Sequence, residues 1–204
     1  RVDRLGFFTN VAIDTQAVPG SPDQVDLTVA VAEKPTGNLT LGAGYGQAEG
    51  LSLVAGIRQE NVFGSGNYLG VDVNTSKYRR TMVLSTTDPY FTDTGISRTY
   101  DLYYRTDRPY YDDAAYKIVT SGGSVRFGVP FSEIDTVYFG GGVERSEIKP
   151  GTYLPQAYKD YADKYGYSNT GIPLTLGWSR DSRDSALAPN SGLYQRLNTE
   201  WSVG

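Results

Sequence analysis

The sequence has no cysteine and no histidine. The first absence removes disulfides, thiolate nucleophiles and cysteine metal sites. The second removes the commonest general base and the commonest transition-metal ligand, so neither a Ser-His-Asp nor a Cys-His centre can be assembled from this chain. There is no run of about 18 apolar residues, the length a transmembrane helix needs, and Arg1-Val2-Asp3-Arg4-Leu5 has none of the apolar character of a signal-peptide core. Basic residues do not dominate. The 19 Lys and Arg against 23 Asp and Glu leave a net charge of −4, the wrong sign for gripping nucleic acid through a general positive field. Paired carboxylates are missing too: acidic residues fall singly on separate segments. No enzymatic activity, cofactor or metal is expected.

What is present points to β-structure. The 204 residues include 17 Tyr, 7 Phe, 2 Trp and 24 Gly but a single Met, a composition unlike that of a helical protein. The mean hydropathy of −0.40 suits a soluble protein. It also suits a transmembrane β-barrel, whose lipid-facing and lumen-facing residues alternate and average out.

The chain changes texture near residue 35. Before it, residues 1–7 read as the last turn of a helix stopped by Gly6. Asn10 to Asp14 and Val25 to Val31 then alternate as two strands joined through a Pro-Gly turn cluster. After Glu33-Lys34-Pro35-Thr36-Gly37, nine alternating segments follow. Leu39, Leu41, Ala43 and Tyr45 share one face; Leu51, Leu53, Ala55 and Ile57 another; Leu69, Val71 and Val73 a third. Comparable segments centre on Leu84, Leu102, Phe127, Phe139, Leu176 and Thr199. They recur about 19 residues apart, wider than the 8–12 typical of soluble sandwiches. The connections 61–66, 88–95, 130–135 and 182–192 are compact, whereas 107–115 and above all 149–171 are long and polar. That asymmetry, with Arg58, Asp72, Asp101, Arg126, Glu144, Arg196 and Glu200 all opposite the apolar face, suits a transmembrane antiparallel barrel with a polar lumen. A soluble barrel with its apolar face turned inward remains the alternative.

Other motifs carry little. Gly42-x-Gly44-x-Gly46 and Gly64-x-Gly66 lack the spacing and following helix of a dinucleotide fingerprint. Arg180, Asp181, Arg183 and Asp184 form a dense cluster, read either as a charged turn or as ion pairs that fix the lower lumen. Trp178 and Trp201 suit a membrane interface or, alternatively, a carbohydrate-binding surface.

Several stretches resemble the Omp85 family. Arg4-Leu5-Gly6-Phe7-Phe8-Thr9-Asn10-Val11, Val18-Pro19-Gly20-Ser21-Pro22-Asp23 and Glu33-Lys34-Pro35-Thr36-Gly37 resemble the end of its last POTRA domain. Gly42-Ala43-Gly44-Tyr45-Gly46 resembles its first barrel strand and Gln59-Glu60-Asn61-Val62-Phe63-Gly64-Ser65-Gly66 the next turn. Thr87-Asp88-Pro89-Tyr90-Phe91 and Trp178-Ser179-Arg180-Asp181-Ser182-Arg183-Asp184 resemble two further signatures.

The resemblance implies a mostly β protein: the C-terminal part of an αβ POTRA domain over residues 1–36, then the N-terminal half of a transmembrane barrel over 37–204. It implies a piece of a longer outer-membrane protein with its N-terminal segment in the periplasm. The implied function is folding and insertion of outer-membrane barrels through a lateral gate, whose edge strand comprises Asn38, Leu39, Thr40, Leu41, Gly42, Ala43, Gly44 and Tyr45. Implied partners are unfolded outer-membrane clients, outer-membrane lipid and, through POTRA regions beyond this sequence, accessory lipoproteins; nucleic acid is not among them. A two-partner secretion pore of the same superfamily and a soluble or surface binding module are the competing readings.

Overall fold

Alternation of apolar and polar residues with a period of two is the signal the backbone follows. The computed structural model describes residues 7–20, 24–47, 49–108, 116–184 and 189–203. Two strands, β1 (Phe8–Ala17) and β2 (Val25–Glu33), form an antiparallel hairpin of their own. Nine more form a second sheet: β3 (Gly37–Gly46), β4 (Gly50–Gln59), β5 (Tyr68–Thr75), β6 (Arg79–Asp88), β7 (Ser97–Asp107), β8 (Tyr116–Pro130), β9 (Asp135–Pro150), β10 (Ser168–Asp181) and β11 (Tyr194–Val203). Neighbours in sequence are neighbours in space, all antiparallel, and the sheet is open, with β3 and β11 at its edges. The helix expected over residues 1–7 lies outside the described residues but for Phe7.

The two sheets meet at Pro35, which has no amide to donate. The Lys34 amide donates to the Phe7 carbonyl on the hairpin side, and the Glu60 amide donates to the Thr36 carbonyl on the other.

All nine alternating segments are strands, but several are longer than the alternation suggested. β8, β9 and β10 run 15, 16 and 14 residues, well past the 9–11 that cross a bilayer. Their extensions consume part of the loop expected over 149–171. The rest of it holds a helix, α1 (Gln156–Tyr165).

The sheet's apolar face is uncovered. Register places Leu39, Ile57, Val71, Leu84 and Leu102 in one cross-strand row, and they are between 37% and 66% exposed. Among the described residues only Val119, Leu154 and Ala162 are buried apolar side chains. An apolar sheet face of this extent in water would be an aggregation surface. Lipid is the solvent that suits it.

Candidate functional site: an edge strand and a charged inner face

β3 pairs through all ten residues with β4, from Gly37 opposite Gln59 to Gly46 opposite Gly50. Its other side pairs with nothing among the described residues. An antiparallel edge strand turns the N–H and C=O of alternate residues away from its partner, so half of Asn38 to Tyr45 presents backbone groups for another strand. The whole strand is exposed.

Its glycines differ from those deeper in the sheet. A Cβ built on Gly42 would come no closer than 3.8 Å to Val54 Cβ, and one on Gly46 no closer than 3.9 Å to the Glu49 amide. At Gly44 the nearest atom is the Ser52 hydroxyl, 3.1 Å away. In β8 a Cβ on Gly122 would lie 2.6 Å from the Tyr103 hydroxyl and 2.7 Å from the Val143 carbonyl oxygen. In β9, Cβ atoms on Gly140 and Gly142 would strike the Val125 and Gly123 carbonyls. Packing therefore requires glycine in β8 and β9. Between β3 and β4 a Cβ on Gly37 would strike the Gln59 side-chain oxygen, but Gly42 and Gly46 meet no such crowding from β4.

The inner face is a ladder of polar side chains. The next row over holds Thr40, Gly56, Asp72, Val83, Tyr103, Gly122 and Glu144 in register. Arg58 Nη2 meets Asp72 Oδ1 at 3.1 Å, and the Tyr103 hydroxyl donates to Glu144 Oε2 at 2.7 Å. Asp101 accepts from the Ser85 hydroxyl and faces Arg126 Nη2 at 3.8 Å. A polar recess of about 430 Å³ opens between Tyr103, Arg105, Arg126, Glu144, Thr175 and Glu200. Arg58, Asp72, Asp101, Arg126 and Glu144, expected on one face, are thus on one face and largely paired. The roles of Ser85 and Tyr103 as their partners were not read from sequence, because they depend on strand register.

The two ends of the sheet differ. At the end where Gly37 lies are the connections 60–67, 89–96, 131–134 and 182–193. Here Asp135, 8% exposed, accepts from Trp178 Nε1 at 3.2 Å and from the Ser132 hydroxyl at 3.0 Å, and faces Arg180 at 3.8 Å. Arg183 makes a two-pronged pair with Asp181, both contacts 2.8 Å, and this carboxylate pushes the Arg183 guanidinium further up from its usual pKa. Asp184 accepts the Asn190 and Ser191 amides. The Arg180–Asp184 cluster therefore splits: Arg183, Asp181 and Asp184 organise their own turn, and Arg180 ties it to β9.

At the other end α1 packs over the inner face. Tyr158 and Tyr161 enclose, with Ile118, Ser146, Ile148 and Tyr167, an apolar hollow of about 370 Å³, and the Tyr158 ring lies 4.9 Å from that of Tyr116.

Comparison with known proteins agrees with this architecture. The pattern of the Omp85 superfamily domain matches residues 61–204. The chain is 37% identical over 98% of its length to the outer membrane protein assembly factor BamA of Neisseria meningitidis serogroup B, of which it covers 26%. It is 31% identical over its whole length to the BamA of Nitratidesulfovibrio vulgaris, covering 25% of that protein. Among solved structures, the crystal structure of BamA from Haemophilus ducreyi lacking POTRA domains 1-3 superposes on the whole chain with a TM-score of 0.75 at 27% identity; the chain covers 41% of it. The chain thus spans about a quarter of the length of the curated relatives it matches.

Proposed function

Since the chain belongs to the Omp85 superfamily, we propose that it forms the N-terminal half of the transmembrane barrel of an outer-membrane protein assembly factor, over residues 37–204, with residues 1–36 the end of a POTRA domain. Lipid covers the outward apolar rows and water fills the lumen lined by Arg58, Asp72, Asp101 and Glu144. The Gly37 end faces the periplasm, and α1 and the longer connections lie outside the cell. Relatives from three organisms, each named as an outer membrane protein assembly factor, favour this over the secretion-pore alternative.

The mechanism follows from the edge. In a closed barrel β3 pairs with the last strand. When that seam parts, the backbone groups of Asn38, Leu39, Thr40, Leu41, Gly42, Ala43, Gly44 and Tyr45 are offered to a client's strand, which adds by β-augmentation. The free energy comes from the client's own folding, so no nucleotide is needed. Partners are unfolded outer-membrane clients and, through preceding POTRA regions, accessory lipoproteins.

The observation that carries this reading is that Gly42 and Gly46 of β3 face β4 without crowding, as expected of a strand kept weak in propensity. A photo-crosslinking residue at Thr40 of the full-length protein should capture the terminal strand of a stalled client, and the same residue at Thr81 in β6 should not. Equal capture at both positions would remove the edge strand from the mechanism.

A further inference from the structure

The compact-turn end of the sheet carries a ring of exposed aromatic side chains: Phe63, Tyr90, Phe91, Phe131 and Tyr194. Rings in this arrangement mark a headgroup interface. Among the described arginines near this end, Arg58 meets Asp72 and Arg196 reaches the Asn198 side chain. Arg183 is held by Asp181 and Arg180 faces Asp135. Arg98 has no carboxylate and no side-chain hydrogen bond among the described residues, and its Nε is shut away from solvent without an acceptor.

Arg98 is on the outward face. It alternates in β7 with Tyr100 and Leu102, both exposed, and stands opposite Phe127 in β8. Its guanidinium lies 3.9 Å from the Phe91 ring centroid and 5.1 Å from that of Tyr100, and Phe91 is braced in turn by Phe127 at 6.2 Å. The carboxylate opposite it in the ladder, Asp88, is turned into the connection, where it accepts the Tyr90 amide at 3.1 Å. A stacked guanidinium whose Nε is enclosed can still turn its terminal Nη groups to a phosphate. A cation on the lipid face with no internal counter-charge needs one from outside the protein.

We propose that Arg98, stacked on Phe91 and flanked by Tyr100, binds the phosphodiester of a glycerophospholipid in the leaflet at the compact-turn end of the barrel. The inference rests on reading the sheet as a membrane wall. The bound headgroup fixes the height of β7 and of the 89–96 connection in the leaflet, at a rim where Arg180 and Arg183 face carboxylates of the protein itself.

The test titrates phosphatidylglycerol into the full-length protein in detergent, with bound lipid counted by native mass spectrometry. R98Q should weaken this binding about tenfold, the scale of one charge-assisted hydrogen bond. R98K should lie between, having charge without the planar fork, and F91L, which keeps the charge but loses the stack, should also weaken it should R98Q fail to fold. Inorganic phosphate should not compete. Equal lipid binding by all the variants and the parent protein overturns the proposal, and competition by inorganic phosphate at matching concentrations would make it a free-anion site instead. A Trp178-only variant separates this from failure of the membrane reading. Quenching by headgroup-proximal brominated lipid places the rim at the interface whatever Arg98 does; absence of quenching removes the membrane reading and this inference with it.

Discussion

Tyr103 and Glu144 are 41 residues apart in sequence and joined by a 2.7 Å hydrogen bond that passes over a strand lying between them. The intervening residue is Gly122, in register with both. A Cβ there would occupy the space of the tyrosine hydroxyl. The inner-face bridge therefore depends on a residue whose contribution is the absence of a side chain.

Gly122→Val should accordingly lower barrel stability by about 1–3 kcal/mol, the usual cost of forcing atoms into a filled site. Tyr103→Phe, which removes only the bond to the half-buried carboxylate, should cost about 1.5 kcal/mol. Urea unfolding of the refolded full-length protein, followed by heat-modifiable gel migration, measures both. A harmless Gly122→Val would mean that the bridge forms by another route.

Glycines of β3 should respond in the opposite way. Gly42→Val meets only ordinary contact with Val54 and should raise strand propensity by up to about 1 kcal/mol. The account expects a barrel at least as stable as the parent but slower at inserting clients into liposomes. Gly140→Val, which strikes backbone, should fail in the unfolding assay first.

Asp135 gives a spectroscopic test at the rim. Asp135→Asn leaves Arg180 without its nearby carboxylate and changes the acceptor of the Trp178 indole. A loss of about 2 kcal/mol is expected for a buried acceptor with three partners, together with a shift in Trp178 emission. No change in either would mean that the indole is held by packing alone.

Spin labels separate the two faces. A label at Leu53, on the exposed apolar face, should be relaxed by lipid-soluble oxygen. One at Arg58, whose side chain meets Asp72, should respond to a water-soluble nickel chelate. Equal response at the two positions would contradict the assignment of lipid and lumen.

Much of this fold could be read in advance because a barrel wall writes its period into the sequence. Leu39, Leu41, Leu51 and Val71 alternate with polar or small residues, with Val54 after Leu53 an exception, so strand existence and facing were both visible. Strand ends were not. From Tyr116 to Ser121 and from Glu144 to Pro150 the ladder continues with its few apolar residues, Tyr116, Ile118 and Ile148, on the inner face under α1, the reverse of the outward apolar rows that mark the other strands. Helix α1 was read as loop for a related reason: its cap position is Pro155, with no side-chain hydrogen bond, and Ala162 is its buried residue. The candidate edge strand came from the resemblance of Gly42-Ala43-Gly44-Tyr45-Gly46 to the first barrel strand of the family. The Tyr103–Glu144 bridge needed register, which no local pattern encodes.

In the proposed mechanism the seam beside β3 opens during function. The most direct measurement pairs a cysteine placed in Asn38 to Tyr45 with one in the facing last strand of the full-length protein. The native stretch contributes no competing thiol. With the disulfide fully formed, insertion of client barrels into liposomes should stop and should return on reduction. Insertion at the parent rate through a quantitatively locked seam would contradict the account.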